Sequence, residues 1–303
     1  MPITLPPISR RRFLAGSLAV GAGLLLDRRG LTQTRRAIDP NRIALLSDVH
    51  INAKPTFVVG DTNMADNLTS AVNAIAALDP LPGAVIINGD CAHITGSLAD
   101  YATLVSILEP IRLAGVPIHL SMGNHDNRAN LWKAIPSADT QNKPVPDRQI
   151  AKLTFPHADW YLLDTLTETN KTPGLLGEAQ LAWLTKSLDA APDRPAIVMT
   201  HHHPQSVTKT PGIGDTPAFL AALKDRKQVK ALLFGHTHAW MSKQQDDGIH
   251  WLNLPPTAYT FTKGKPQGWV DTWLADRGAT MELNCFNVKH ELHRTKVEMN
   301  WRA

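Results

Sequence analysis

Cysteine is almost missing from this 303-residue chain, which has only Cys91 and Cys285. Two thiols make neither a disulfide framework nor a thiolate metal site, so both are expected to be free. Internal repeats and low-complexity tracts are absent, which sets aside solenoid and compositionally biased chains. Long apolar runs are missing too. The apolar stretch from Phe13 to Leu26 covers 14 residues, short of the roughly 20 that a membrane-spanning helix needs. Charge of one sign is lacking outside the first 29 residues, which hold five arginines and one acid, Asp27. That net of +4 equals the formal charge of the whole chain, so the other 26 basic and 26 acidic residues cancel. The pI near 9.1 therefore reflects the N-terminus, and no nucleic-acid partner is expected, since the domain carries no net basic charge.

What is present is ordinary globular composition, 43% hydrophobic and 19% charged, in a chain long enough to bury a large core. Ser9-Arg10-Arg11-Arg12-Phe13-Leu14 resembles the twin-arginine export motif, and the apolar stretch behind it reads as a signal h-region. No clear small-x-small cleavage site follows Leu26. The expectation is a signal segment and linker over residues 1–36 and one domain over 37–303. The twin-arginine export machinery would be a partner, and the location periplasmic or N-terminally membrane-anchored.

Beyond the linker, β-like runs alternate with helical patterns. Ile43-Ala44-Leu45-Leu46, Ala84-Val85-Ile86-Ile87 and Val116 to Leu120 are strand-like, while Asp66–Leu78 and Leu98–Leu113 have helical spacing. Pro136 to Asp147 reads as loop. Trp160–Leu163, Ala196–Met199 and Val229–Phe234 are further strands, with an amphipathic helix over Gly177–Ala190. From Ile249 the pattern is strand after strand: Ile249–Leu254, Trp269–Leu274 and Thr280–Phe286. Parallel βαβ units followed by a β-rich end predict a two-sheet α/β sandwich rather than one doubly wound sheet.

Five polar clusters directly follow apolar runs: Asp48-Val49-His50, Gly89-Asp90, Gly123-Asn124-His125-Asp126, His201-His202-His203 and Gly235-His236-Thr237-His238. Strand ends are where α/β sheets gather ligands. If the backbone stays extended, Asp48/His50 and His236/His238 each point both side chains one way. Carboxylate, imidazole and amide donors without thiolate suit Mn, Fe or Zn. Seven such donors are too many for one tetrahedral ion and match two ions sharing a carboxylate, an arrangement suited to displacement at phosphorus. Each cluster alone is a weak signal, and Gly60-Asp61 or Gly214-Asp215 is better explained as a turn or helix cap. All five in order carry the argument.

In that order the clusters resemble the calcineurin-like metallophosphoesterase pattern D-x-H, G-D, G-N-H-[DE], H and G-H-x-H. The resemblance runs from Arg42 to Phe286 and is closest to the bacterial cyclic-nucleotide and glycerophosphodiester phosphodiesterase branch, through Leu176-Gly177-Glu178-Ala179-Gln180-Leu181-Ala182-Trp183-Leu184. It implies a four-layer αββα sandwich with two mixed β-sheets. It also implies hydrolysis of a small-molecule phosphate diester by metal-activated water, with two divalent or trivalent ions. Asp48, His50 and His238 would hold the first ion, Asp90 would bridge, and Asn124, one residue of the His run and His236 would complete the second. His201, the first residue past the strand, is the expected ligand, with His202 as alternative because counting back from Pro204 favours it. His125 would be the general acid. Where many relatives carry an acid to orient that histidine, this chain has His93, which leaves His125 without a carboxylate or dependent on Asp126.

Arg128 is open between a substrate-phosphate contact and a helix-start residue packed on the surface, while His119 reads as structural and the tryptophans as core or pocket wall. Gly212 to Pro217 could form a mobile lip over the site, although Gly and Pro there fit any loop. A phosphomonoesterase on the same scaffold is the alternative activity. A non-catalytic member of the fold should have lost ligands, and here every position is filled. Dimerisation is left open.

Overall fold

The computed structural model describes residues 3–5, 36–135 and 143–303. The Ser9–Leu14 motif, the apolar stretch behind it and residues 136–142 of the expected loop lie outside them. A seven-stranded sheet is built from β1 (Ile3–Leu5), β2 (Ile38–Leu46), β5 (Leu81–Ile87), β6 (Ile118–Leu120), β13 (Gly268–Ala275), β14 (Gly278–Cys285) and β15 (Lys296–Asn300), in the order β1-β6-β5-β2-β13-β14-β15. The second, six-stranded sheet holds β7 (Ala151–Thr154), β8 (Asp159–Leu162), β9 (Ala196–Met199), β10 (Val229–Phe234), β11 (Met241–Gln244) and β12 (His250–Asn253), ordered β11-β12-β10-β9-β8-β7. A small hairpin, β3 (Val58–Val59) and β4 (Thr62–Asn63), stands apart. Both sheets are mixed: β6-β5-β2 and β12-β10-β9-β8 run parallel, and the outer strands pair antiparallel.

Side-chain parity builds the layers. On β2, Ile43 and Leu45 pack with Leu162, Ile197, Met199 and Leu233 between the sheets. Their neighbours Ala44 and Leu46 face outward, against Leu68 and Val72 of the helix Met64–Ala76 and Leu104 of the helix Leu98–Ile107. On the far sheet Val198 and Leu232 face Leu184 and Leu188 of the helix Glu178–Asp189 and Phe219 of the helix Thr216–Lys224. Period-two alternation with both faces covered gives strands that are apolar throughout, and the result is helices, sheet, sheet, helices.

The expected helix over Leu98–Leu113 is two. It pauses at Leu108, and a short helix restarts over Glu109–Leu113 with Pro110 in its first turn, where the missing N–H costs least. Ile3–Leu5, ahead of the arginine motif, forms an edge strand on β6, and the Thr4 hydroxyl lies 3.0 Å from Nδ1 of buried His119. Both cysteines are free and buried. Among the described residues no helix is long and apolar enough to cross a membrane.

Candidate metal centre

The parallel strands β2, β5, β6, β9 and β10 end along one edge, and the five polar clusters follow their last residues. Backbone pairing continues past the strands: His50 N–H donates to the Asp90 carbonyl at 2.9 Å, and Gly235 N–H to the His201 carbonyl at 2.9 Å. The chain is not extended there. Asp48 (φ 52°), His50 (47°), Asp90 (46°), His236 (68°) and His238 (51°) are all left-handed. The clamp pairs therefore converge through left-handed residues rather than the extended backbone expected. Such conformations disfavour L-residues, and their concentration at one spot marks a functional site. Two glycines supply the room: a Cβ on Gly123 would overlap the Asp90 carboxylate, and one on Gly235 would overlap Ser47 and Asp48.

Two clusters result. Asp48, His50, Asp90 and His238 bring one ligand atom each within 4.8 Å of one another, and Asp90, His201 and His236 form a second such group. Asp90 belongs to both. Its Oδ2 lies 3.5 Å from His50 Nε2 and 3.3 Å from His201 Nε2, while Asp48 Oδ1 lies 3.4 Å from His238 Nε2. Asn124 sits beside this shared carboxylate, since the next residue, His125, donates its N–H to Asp90 Oδ1 at 2.9 Å.

The donors fit a cation by three observations. His50 Nε2 and His238 Nε2 face each other at 3.0 Å, close enough for one cation to take a lone pair from each. Asn124 Oδ1 is buried with no hydrogen-bond partner, which costs free energy unless something else satisfies it. Finally, the outer ring nitrogens of three histidines face backbone oxygens, while His50 Nδ1 is buried without a partner. His201 Nδ1 is 2.9 Å from the Asn88 carbonyl, His236 Nε2 is 3.1 Å from that of Pro211, and His238 Nδ1 bonds the Tyr259 carbonyl. Such outer bonds fix the tautomer and leave one lone pair to each site.

The electrostatics agree. Burial would push the Asp90 carboxyl up, but His201 outweighs it and holds Asp90 well below the usual range. Burial pulls His201 down, yet Asp90 and Asp48 lift it to about 10. Burial pushes His50 down to about 3 and His236 to about 4, so both stay neutral donors near pH 7. The two buried carboxylates demand positive charge, and the neutral imidazoles are ready to ligate it.

His202 lies outside both clusters. Its Nδ1 is 2.7 Å from the Thr165 hydroxyl, and its ring packs 4.6 Å from that of His236. His125 is partly exposed, with Nε2 4.0 Å from Asp90 Oδ2. Its Nδ1 faces the Ile94 carbonyl at 3.4 Å, so Asp126 is not its partner. Asp126 is taken up by the N–H groups of Cys91, Ala92 and Gly123 and by the Tyr101 hydroxyl, and burial raises it to about 6. His93 stands near His50, with ring centres 6.2 Å apart. Arg128 is paired with buried Asp164 at 2.6 Å, as a structural residue should be. The Gly212–Pro217 segment is held by Gly174 N–H to the Gly212 carbonyl at 3.0 Å and Gly214 N–H to the Gly174 carbonyl at 2.8 Å.

Four contributors have no signature in the sequence. Tyr259 stacks on His50 at 5.2 Å while its carbonyl orients His238, and Asn88 and Pro211 act through backbone oxygens that any residue possesses. Ile94 is left-handed at φ 56°, an outlier for a β-branched residue, and that turn aims its carbonyl at His125.

Residues 41–240 match the family described as calcineurin-like phosphoesterase. A 3',5'-cyclic-nucleotide phosphodiesterase of Nostoc sp. is 24% identical over 73% of this chain and 80% of its own length. A 3',5'-cyclic adenosine monophosphate phosphodiesterase of Pseudomonas aeruginosa is 26% identical, covering 75% and 79%. A probable glycerophosphodiester phosphodiesterase of Arcobacter nitrofigilis is 28% identical, covering 65% and 71%. Among solved structures, a dimetal phosphatase from Danio rerio superposes with a TM-score of 0.68 at 16% identity, over 87% of this chain and all of that one. That likeness carries the fold.

Proposed function

The chain belongs to the calcineurin-like phosphoesterase family of metal-dependent hydrolases, and from that premise we propose a dinuclear phosphodiesterase whose two ions share Asp90. Asp48, His50 and His238 complete the first ion's ligands. Asn124, His201 and His236 complete the second's. The membership of Asp90 in both donor clusters is the observation that carries this reading. Two ions bound there supply Lewis acidity at the phosphoryl oxygens and a nucleophilic water at neutral pH. Oxygen and imidazole donors suit Mn, Fe or Zn.

His125 supplies a proton to the leaving oxygen. Its Nδ1–H donates to the Ile94 carbonyl, which fixes the ring and turns Nε2 toward the Asp90 side of the centre. The substrate is a diester, cyclic-nucleotide or glycerophosphodiester in type, a choice supported by the names of the three sequence relatives. The arginine motif at Ser9–Leu14 supports export by the twin-arginine route to a periplasmic or N-terminally anchored position.

A hydrolysis screen of the Mn-loaded protein tests the activity. Bis(p-nitrophenyl) phosphate, cyclic AMP and glycerophosphodiesters are compared with p-nitrophenyl phosphate. A diester should be cleaved with at least tenfold higher kcat/KM than the monoester. The reverse order makes the protein a phosphomonoesterase.

A further inference from the structure

Large apolar side chains left in water need a reason when they gather at a site. Phe261 is 66% exposed, yet its ring lies flat on that of His238, with centres 4.1 Å apart and planes 13° from parallel. One π-face therefore covers a proposed metal ligand, while most of the side chain stays open to solvent. Phe57, 37% exposed, packs 5.0 Å from the ring of His93, which in turn neighbours His50. Tyr259 connects the row, stacked on His50 and 4.8 Å from His238. Together the rings border the first-ion side of the centre.

Beside this row opens a cleft of about 500 Å³, lined in part by Tyr259, Thr260, Thr62, Gln267 and Asn287. Its size falls in the range of small-ligand sites; its lining is mostly polar, with Lys263 and Lys265 beside the Tyr259 ring. A phosphoryl group at the ions would hold the rest of an ester next to the rim. A planar heteroaromatic ring gains from an open aromatic face, because every base has a π-face to stack. A glycerol substituent has none.

We infer that Phe261, backed by Tyr259 and the adjoining cleft, is a specificity residue that stacks the planar ring of a nucleotide-type ester. This rests on the phosphoesterase reading of the same centre and narrows its substrate class. Base stacking on one aromatic side chain shifts affinity by about 5- to 150-fold.

The test is a calorimetric titration of the full-length, Mn-loaded protein with adenosine 5'-monophosphate and with glycerol 3-phosphate. The probes share a phosphate and differ in the ring. Wild type should bind the adenosine probe about tenfold more tightly; Phe261→Ala should erase that preference without weakening the glycerol probe, and Phe261→Trp should keep it. Metal content is measured in each variant, with Phe261→Leu replacing the alanine variant if the latter loses ions. An equal loss for both probes, or an undiminished preference in Phe261→Ala, overturns the inference. Neither probe is a diester, so binding decides this even if the protein cleaves no diester. Conversely, diester hydrolysis without a ring preference removes the shelf and leaves the phosphodiesterase reading standing.

Discussion

His125 has a backbone carbonyl, that of Ile94, where a carboxylate could have stood. That acceptor orients the ring and leaves Nε2 facing the centre, so His125 is placed to serve as the proposed proton donor to a poor leaving group. An alkoxide departs slowly without a proton, whereas nitrophenolate is stable as an anion. A positioned acid contributes typically 10²–10⁴-fold. His125→Ala should therefore slow alkyl and ribosyl esters by about that factor and nitrophenyl esters by roughly tenfold or less, with metal content unchanged. Equal losses on both substrate types would mean that His125 binds phosphate charge instead. The residues that gather in the two donor clusters were legible because each carries its chemistry in its side chain. Asn88, Pro211 and Ile94 act through main-chain oxygens, and nothing in their identity announces that.

At the scale of elements, the short apolar runs gave the central strands, because strands buried on both faces read as continuous hydrophobic stretches. Edge strands escaped the pattern. Met241–Gln244 is mostly exposed, and Lys296–Asn300 alternates weakly, so neither has an apolar signature. Ile3–Leu5 is seen only through its pairing with β6, where His119 sits buried under Thr4. Burial pushes His119 down to about 4 from 6.5. A depressed histidine favours the fold while neutral, so this stability is complete above pH 6.5 and lost as pH falls toward 4. The full loss amounts to about 3 kcal/mol at 1.36 kcal/mol per pH unit. Urea unfolding at pH 7 and pH 5 should show wild type losing more stability than His119→Asn across that interval. Identical pH slopes would assign the acid sensitivity elsewhere.

For the whole molecule, packing two sheets face to face brings the ends of β2, β5 and β6 to those of β9 and β10, so ligands separated by up to 190 residues meet. That conjunction was readable from the order of the clusters. The left-handed backbone that closes the clamps was not, because a positive φ at an Asp or His runs against the preference of its residue type. The proposed export route also belongs to this scale, since a folded domain that has taken up its metals is the natural cargo of that route. Replacing Arg10 and Arg11 by lysine keeps the charge and should leave the protein inside the cell; normal periplasmic accumulation of the double variant contradicts the motif.

The most direct test of the shared-carboxylate centre is the metal content per chain of purified wild type, His50→Ala and Asp90→Ala, measured by elemental mass spectrometry after reconstitution with Mn. Asp90 touches both donor groups and His50 one. Wild type should hold two ions, His50→Ala should lose mainly one, and Asp90→Ala should lose both along with nearly all activity. Two tightly bound ions in Asp90→Ala would contradict the account.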